Sequence, residues 1–219
     1  MRLFDEGTSW EQARKDTRYP AARLDAKKRH APLSKSLRAL LAQWNTTDQE
    51  RRDADDAVVD ANALVSAIDE ELDDTIGLLV ARLLYEAGND PANATFKTYF
   101  PEPPNEVIRL GLESEIARTK ELVHVAEEKK ASKEVWAILK AVAEIEKRGT
   151  EALAARVEAY TGVSRGALRI QTWKENANAA RRGVEAALET WAVANGKPRG
   201  YADAFFPAAP RAKKKATPA

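Results

Sequence analysis

Apolar residues recur along most of this chain at intervals of three and four, the spacing of one face of an α-helix. The clearest run is Val58, Ala61, Val65, Ile68, Leu72, Ile76, Leu79 and Leu83. Taken from about Asp48 to Ala87, it predicts a helix roughly 60 Å long at 1.5 Å per residue. Gly88-Asn89-Asp90-Pro91 supplies the residues that end one. Upstream, Ser34 is placed to cap a stripe of Leu37, Leu40, Leu41 and Trp44. Asn45-Thr46-Thr47-Asp48 then carries turn and cap residues, with Thr47 and Glu50 at capping-box spacing, so a break or a kink is expected there. A shorter helix is predicted from a Ser9 cap through Trp10, Ala13 and Arg14, stopped by Tyr19-Pro20. From there to Pro32 the chain reads as irregular or weakly helical.

Downstream of the longest stripe, Thr98-Tyr99-Phe100-Pro101-Glu102-Pro103-Pro104 is a connector in which repeated proline forbids helix. Asn105 is the expected cap of the next helix, whose stripe is Leu112, Ile116, Thr119, Val123 and Ala126, then Val135, Ile138, Val142 and Ile145. Gly149 is a candidate bend, and Tyr160-Thr161-Gly162 the expected end. Ser164 would cap a last helix carrying Ile170, Trp173, Ala177, Ala180, Val184, Leu188 and Trp191, closed by Asn195-Gly196-Lys197-Pro198. The fold class expected is all-α, a bundle of long amphipathic helices. Its divisions are an N-terminal basic arm with a short helix over 1–33, the helical bundle over 34–206, and a disordered basic tail over 207–219.

The chain also resembles itself. Tyr85 stands as far before Tyr99-Phe100-Pro101 as Trp191 stands before Phe205-Phe206-Pro207. A further proline follows at the same interval in both places, Pro104 and Pro210. Two readings compete: a duplicated unit of long helix plus aromatic loop, or chance recurrence of the Gly, Asn and Pro that end helices anywhere. In the first, each aromatic pair folds back on the bundle.

Composition supports helices over sheets, with 32% of the 219 residues charged. There is no cysteine, which removes disulfides and thiolate chemistry together and fits a reducing compartment. The start lacks the apolar core of a secretory signal, and no apolar run approaches the ~20 residues that span a bilayer. A cytoplasmic protein without a membrane partner is expected. Net charge is only +1, so the molecule as a whole offers no electrostatic footprint for nucleic acid. The charge is nevertheless in blocks: basic over the first 43 residues, acidic from Asp48 to Asp74, and basic again at Arg211, Lys213, Lys214 and Lys215.

Chemistry is sparse. Glu121 and His124 have the Glu-x-x-His spacing that puts a carboxylate and an imidazole on one helical face, as di-iron bundles require. A single pair lacks the ligand count, and the other histidine, His30, lies in a basic stretch, so no metal or cofactor is expected. The acids between Asp53 and Asp74 mostly fall off the Val65/Ile68/Leu72 face and read as a solvated surface. No EF-hand, phosphate loop, dinucleotide fingerprint or nucleophile elbow is present. Thr161-Gly162-Val163-Ser164-Arg165-Gly166 could receive an anion if a helix opened there, and is otherwise an interhelical turn. Trp44, Trp136, Trp173 and Trp191 lie on or beside apolar stripes and read as core.

The expected function is that of a non-enzymatic structural or protein-interaction protein, with a protein partner or self-association, using Trp10, Tyr99, Phe100, Phe205 and Phe206 as contact residues. The alternative is association with nucleic acid or another polyanion through the basic arm and tail, weakly because the tail holds so few cations. A metal-binding bundle enzyme comes third.

Overall fold

The structure is a computed structural model, describing residues 3–207, and it is an all-α helical bundle. Among the described residues there is no strand, and no helix is long and apolar enough to cross a membrane. The elements are α1 (Trp10–Asp25), a 3-10 turn (Lys28–Leu33), α2 (Ser34–Glu86), α3 (Ala94–Tyr99), α4 (Pro104–Val107), α5 (Leu112–Glu128), α6 (Lys133–Ala194) and a second 3-10 turn (Ala202–Phe205). The tail expected over 207–219, with Arg211 and Lys213 to Lys215, lies outside the described residues beyond Pro207.

Helix boundaries depart from the local signals in several places. Ser9 caps α1 as expected, accepting from the Gln12 N–H at 3.2 Å, but the helix runs straight through Pro20. An interior proline costs about 3 kcal/mol. Pro20, Ala21 and Leu24 are all buried on one face, and burying a leucine alone returns about 2–3 kcal/mol. Of the break or kink expected at residues 45–48, the break is absent: α2 is one helix of 53 residues. Asp48, one of the four turn and cap residues there, is buried and engaged elsewhere: it accepts from the Trp10 indole at 3.1 Å and pairs with Arg52 at 2.8 Å. Likewise α6 is one helix of 62 residues, so neither the end expected at Tyr160-Thr161-Gly162 nor the Ser164 cap exists. The Thr161 hydroxyl bonds back along the helix to the Val157 carbonyl at 2.9 Å, and a Cβ on Gly162 would sit 3.7 Å from that of Ala54, an ordinary packing distance.

Where one helix was expected, there are two. α5 begins after Gly111, at φ 75°, rather than at an Asn105 cap; Pro104 instead opens the single turn α4. α5 ends at Glu128, Lys130 takes φ 52°, and Ser132 caps α6 by accepting from the Val135 N–H at 3.2 Å. The sequence held the signal, since the step from Ala126 to Val135 is about half a turn out of register with the stripe. Both glycine stops hold: Gly88 (φ 73°) ends α2 and Gly196 (φ 61°) follows α6.

The described residues form two compact units. Unit 2 is Ala54–Gly162. Its core joins Ile68, Leu72, Ile76 and Leu79 of α2, Leu112, Ile116 and Leu122 of α5, and Val135, Leu139 and Val142 of α6, closed by Phe96, Tyr99 and Phe100. Gly149 serves close approach here, for a Cβ on it would meet Ile116 Cδ1 at 2.9 Å and Leu112 Cδ1 at 3.2 Å. Unit 1 holds the described residues up to Asp53 and from Val163 on. One of its clusters is Ala21, Leu24, Leu37, Val184, Leu188, Phe205 and Phe206; the other is Phe4, Ala13, Leu40, Trp44, Trp173 and Ala177. The segment read as an arm is therefore built into a core, through Ala13, Ala21 and Leu24.

Candidate functional site

In unit 1 the chain from Lys27 to Arg29 faces the loop that follows α6. Lys27, Lys28, Arg29, Lys197, Pro198 and Tyr201 line an open cleft of about 770 Å³. Gly196 and Gly200, at φ 61° and 79°, give the loop its turns. Beneath the cleft lies His30, only 2% exposed, whose Nε2 is 3.0 Å from the Tyr201 hydroxyl. Its ring meets Trp191 at 4.7 Å and Phe205 at 5.4 Å, both edge-on. Burial, then the charges of Arg29 and Lys27, hold this imidazole below its usual pKa of 6.5, so it is neutral at pH 7. The cations above it rest on rings. Lys27 Nζ is 4.9 Å from the Phe205 centroid and 5.5 Å from that of Tyr201, and the Arg29 guanidinium is 5.3 Å from Trp191. Among the described residues no carboxylate lines the cleft.

Unit 2 contains a different kind of charge. Glu115 is fully buried on α5, and neither of its carboxyl oxygens meets a donor. Burial first, then Asp73 and Asp69 of α2, push its pKa up to about 8. Asp69 is raised too, by burial and by Asp73, against a lowering hydrogen bond from the Leu112 backbone. Two facing carboxyl groups satisfy one another only by sharing a proton, so at neutral pH Glu115 is the acid that donates to Asp73. Among the described residues no group of three or more His, Asp or Glu side chains is arranged to hold a metal ion. Unit 1 has a matching oddity in Arg181, 1% exposed, its Nε and Nη1 without acceptors among the described residues and its guanidinium 4.2 Å from the Phe4 ring. Burial brings its pKa down to about 10, with Asp16 and Glu185 opposing.

A third feature is a groove of about 560 Å³ in unit 2. Ala54, Ala57, Ala61 and Leu64 of α2 form one wall, Ala155, Ala159 and Gly162 of α6 the other, with Asp60 and Glu158 at the rim. Leu64 is 50% exposed.

The residues singled out from sequence are scattered among these features. Glu121 pairs with Arg118, while the exposed His124 reaches Glu128 at 3.4 Å, so the Glu-x-x-His pair is not brought together. Trp10 stacks on Trp44 and meets Trp173 edge-on, both at 5.0 Å. Tyr99, Phe100, Phe205 and Phe206 are all buried within their own cores. The glycine segment 161–166, a candidate anion site only at a helix start, lies inside α6. Sequence reasoning missed Glu115 and Arg181, although the signal was present: both fall on apolar stripes, beside Ile116 and between Ala177 and Val184. Lys197 and Tyr201 carried no such signal, because only folding sets them against Lys27 to Arg29.

The chain matches no protein-family model, no curated protein and no solved structure.

Proposed function

We propose that this chain is a non-enzymatic helical interaction protein that docks a helix of a partner protein in the groove of unit 2. The observation that carries the reading is the groove itself: a trough walled by alanine and glycine, with a half-exposed Leu64 and acids at its rim. Small residues let another backbone approach, and helix-in-groove recognition needs such a trough to receive bulky side chains at helical spacing. Asp60 and Glu158 at the rim select basic flanks on the incoming helix and disfavour a second copy of the same face. The partner is thus an amphipathic helix with an apolar stripe flanked by Lys or Arg. A labelled synthetic helix with leucine on one face and lysine on the other is the probe. Its fluorescence anisotropy should rise with the wild-type chain and weaken at least tenfold with Ala57→Trp, which fills the trough. Equal binding by wild type and variant refutes the reading. A dimer in sedimentation equilibrium that Ala57→Trp abolishes replaces the partner helix with a second copy.

The same proposal includes a cytoplasmic location, which the lack of cysteine supports, and an origin by duplication. One register shift pairs buried Leu37 with Val142, Leu40 with Ile145, Ile68 with Trp173, Leu72 with Ala177, Leu79 with Val184 and Leu83 with Leu188. At a separate offset, three residues shorter, Thr17 and Thr119 are both fully buried and both donate to the carbonyl four residues back. Each repeat would then be a shorter helix, a long helix and a buried aromatic pair. The polyanion reading is favoured by a separate observation, the cleft of unit 1.

A further inference from the structure

We propose that the cleft formed by Lys27, Lys28, Arg29, Lys197 and Tyr201 binds a small anion carrying several phosphate groups. The proposal is independent of the groove in unit 2 and concerns a different surface. The whole chain has a net charge of +1, yet four cations line one concavity with no carboxylate of the described residues among its walls. None of the four has an ion pair among the described residues, whereas Arg38, Arg51, Arg52, Arg82 and Arg118 each have one. Like charges gathered in a concave wall repel one another and raise the local concentration of anions. A bound polyanion relieves that repulsion.

Position separates this cleft from an ordinary lysine-rich surface. Flexible lysines lose rotamer freedom when they close on a ligand. Here Lys27 is already seated over Tyr201 and Phe205, and Arg29 over Trp191. Those rings are themselves fixed: His30 holds Tyr201 through its hydroxyl and packs edge-on against Trp191 and Phe205. His30 is a positioning residue, buried and neutral, that sets the floor under the charged rim.

Size and charge define the ligand class. A volume of about 770 Å³ exceeds what one phosphate fills, and cations on two sides suit a chain of phosphate groups, each carrying −1.5 to −2 at neutral pH when terminal. Arg29 contributes a planar donor fork suited to a phosphate edge, and the lysines contribute point charges. A nucleic-acid backbone shares the chemistry but is long, and the walls that define this site are local.

The test is calorimetric titration of the full-length chain with sodium triphosphate, with inorganic phosphate and a short DNA duplex as parallel arms. Triphosphate should bind one per chain, at least tenfold tighter than inorganic phosphate. Lys197→Glu, on an exposed loop residue, should weaken it at least tenfold with the melting temperature unchanged, and Lys28→Glu should do the same. Tyr201→Phe, which keeps the ring and removes the hydroxyl held by His30, should weaken binding by a smaller factor. Absence of binding, or binding indifferent to both charge reversals, overturns the proposal and assigns any residual affinity to other cations of the chain. Duplex DNA that binds tighter than triphosphate and is lost with the same two variants also overturns it, and makes the ligand a nucleic-acid backbone.

Discussion

Glu115 carries the sharpest chemistry of any single residue here. Its carboxyl group is buried against Asp73 and Asp69, and its pKa in the folded chain is about 8 against an ordinary 4.5. A pKa raised by folding means that the native state holds the proton more tightly than the unfolded one. The resulting stability is complete below pH 4.5, declines as pH rises and is lost through about pH 8. The raised pKa of Asp69 works in the same direction. His30 has the opposite sign: its lowered pKa gives stability present above 6.5 and lost toward acid. Glu115→Gln keeps a donor for Asp73 and removes the titration. It should stabilise the protein by about 2 kcal/mol at pH 9, have little effect at pH 5, and flatten the profile between. Urea denaturation at the two pH values measures this, and an unchanged difference between them would mean that Glu115 is not the group that titrates.

At the scale of elements, the glycines of α6 show what holds so long a helix together. A Cβ added to the exposed Gly183 would meet nothing within 4 Å, whereas at Gly149 the side chains of Ile116 and Leu112 crowd in. Alanine is favoured over glycine inside a helix by about 1 kcal/mol, so Gly183→Ala should raise stability by about 0.5–1 kcal/mol. At Gly149 the same gain meets overpacking, which costs about 1–3 kcal/mol, and Gly149→Ala should be neutral to destabilising by about 2 kcal/mol. Thermal melts of the two variants should therefore separate, with only Gly183→Ala moving upward. Two upward shifts would show that α5 can yield at that contact. The same competition explains α1: Pro20 stops a helix only when nothing beyond it is worth burying, and Ala21 and Leu24 are fully buried.

At the scale of the whole molecule, α2 and α6 each contribute residues to both units. Leu72→Asp places an unpaired charge at a fully buried position of the unit 2 core, which should cost about 4 kcal/mol or more. Because α2 and α6 are continuous, the loss should extend beyond unit 2. Circular dichroism and tryptophan fluorescence should shift together, although four of the five tryptophans, Trp10, Trp44, Trp173 and Trp191, belong to unit 1 and Trp136 alone to unit 2. An unshifted fluorescence transition would show that the units unfold separately. The all-helical class, the stripe from Val65 to Leu83 and the glycine stops at Gly88 and Gly196 were legible in the sequence, because periodicity and backbone freedom are local properties. The aromatic pairs Tyr99-Phe100 and Phe205-Phe206 were visible as a repetition, but their burial was a matter of packing. Tertiary structure alone decided that Asp48 would bond to Trp10 and that Lys197 would meet Lys27 to Arg29. Those outcomes depend on what lies opposite each residue in space, and spacing along one chain does not specify the opposite wall.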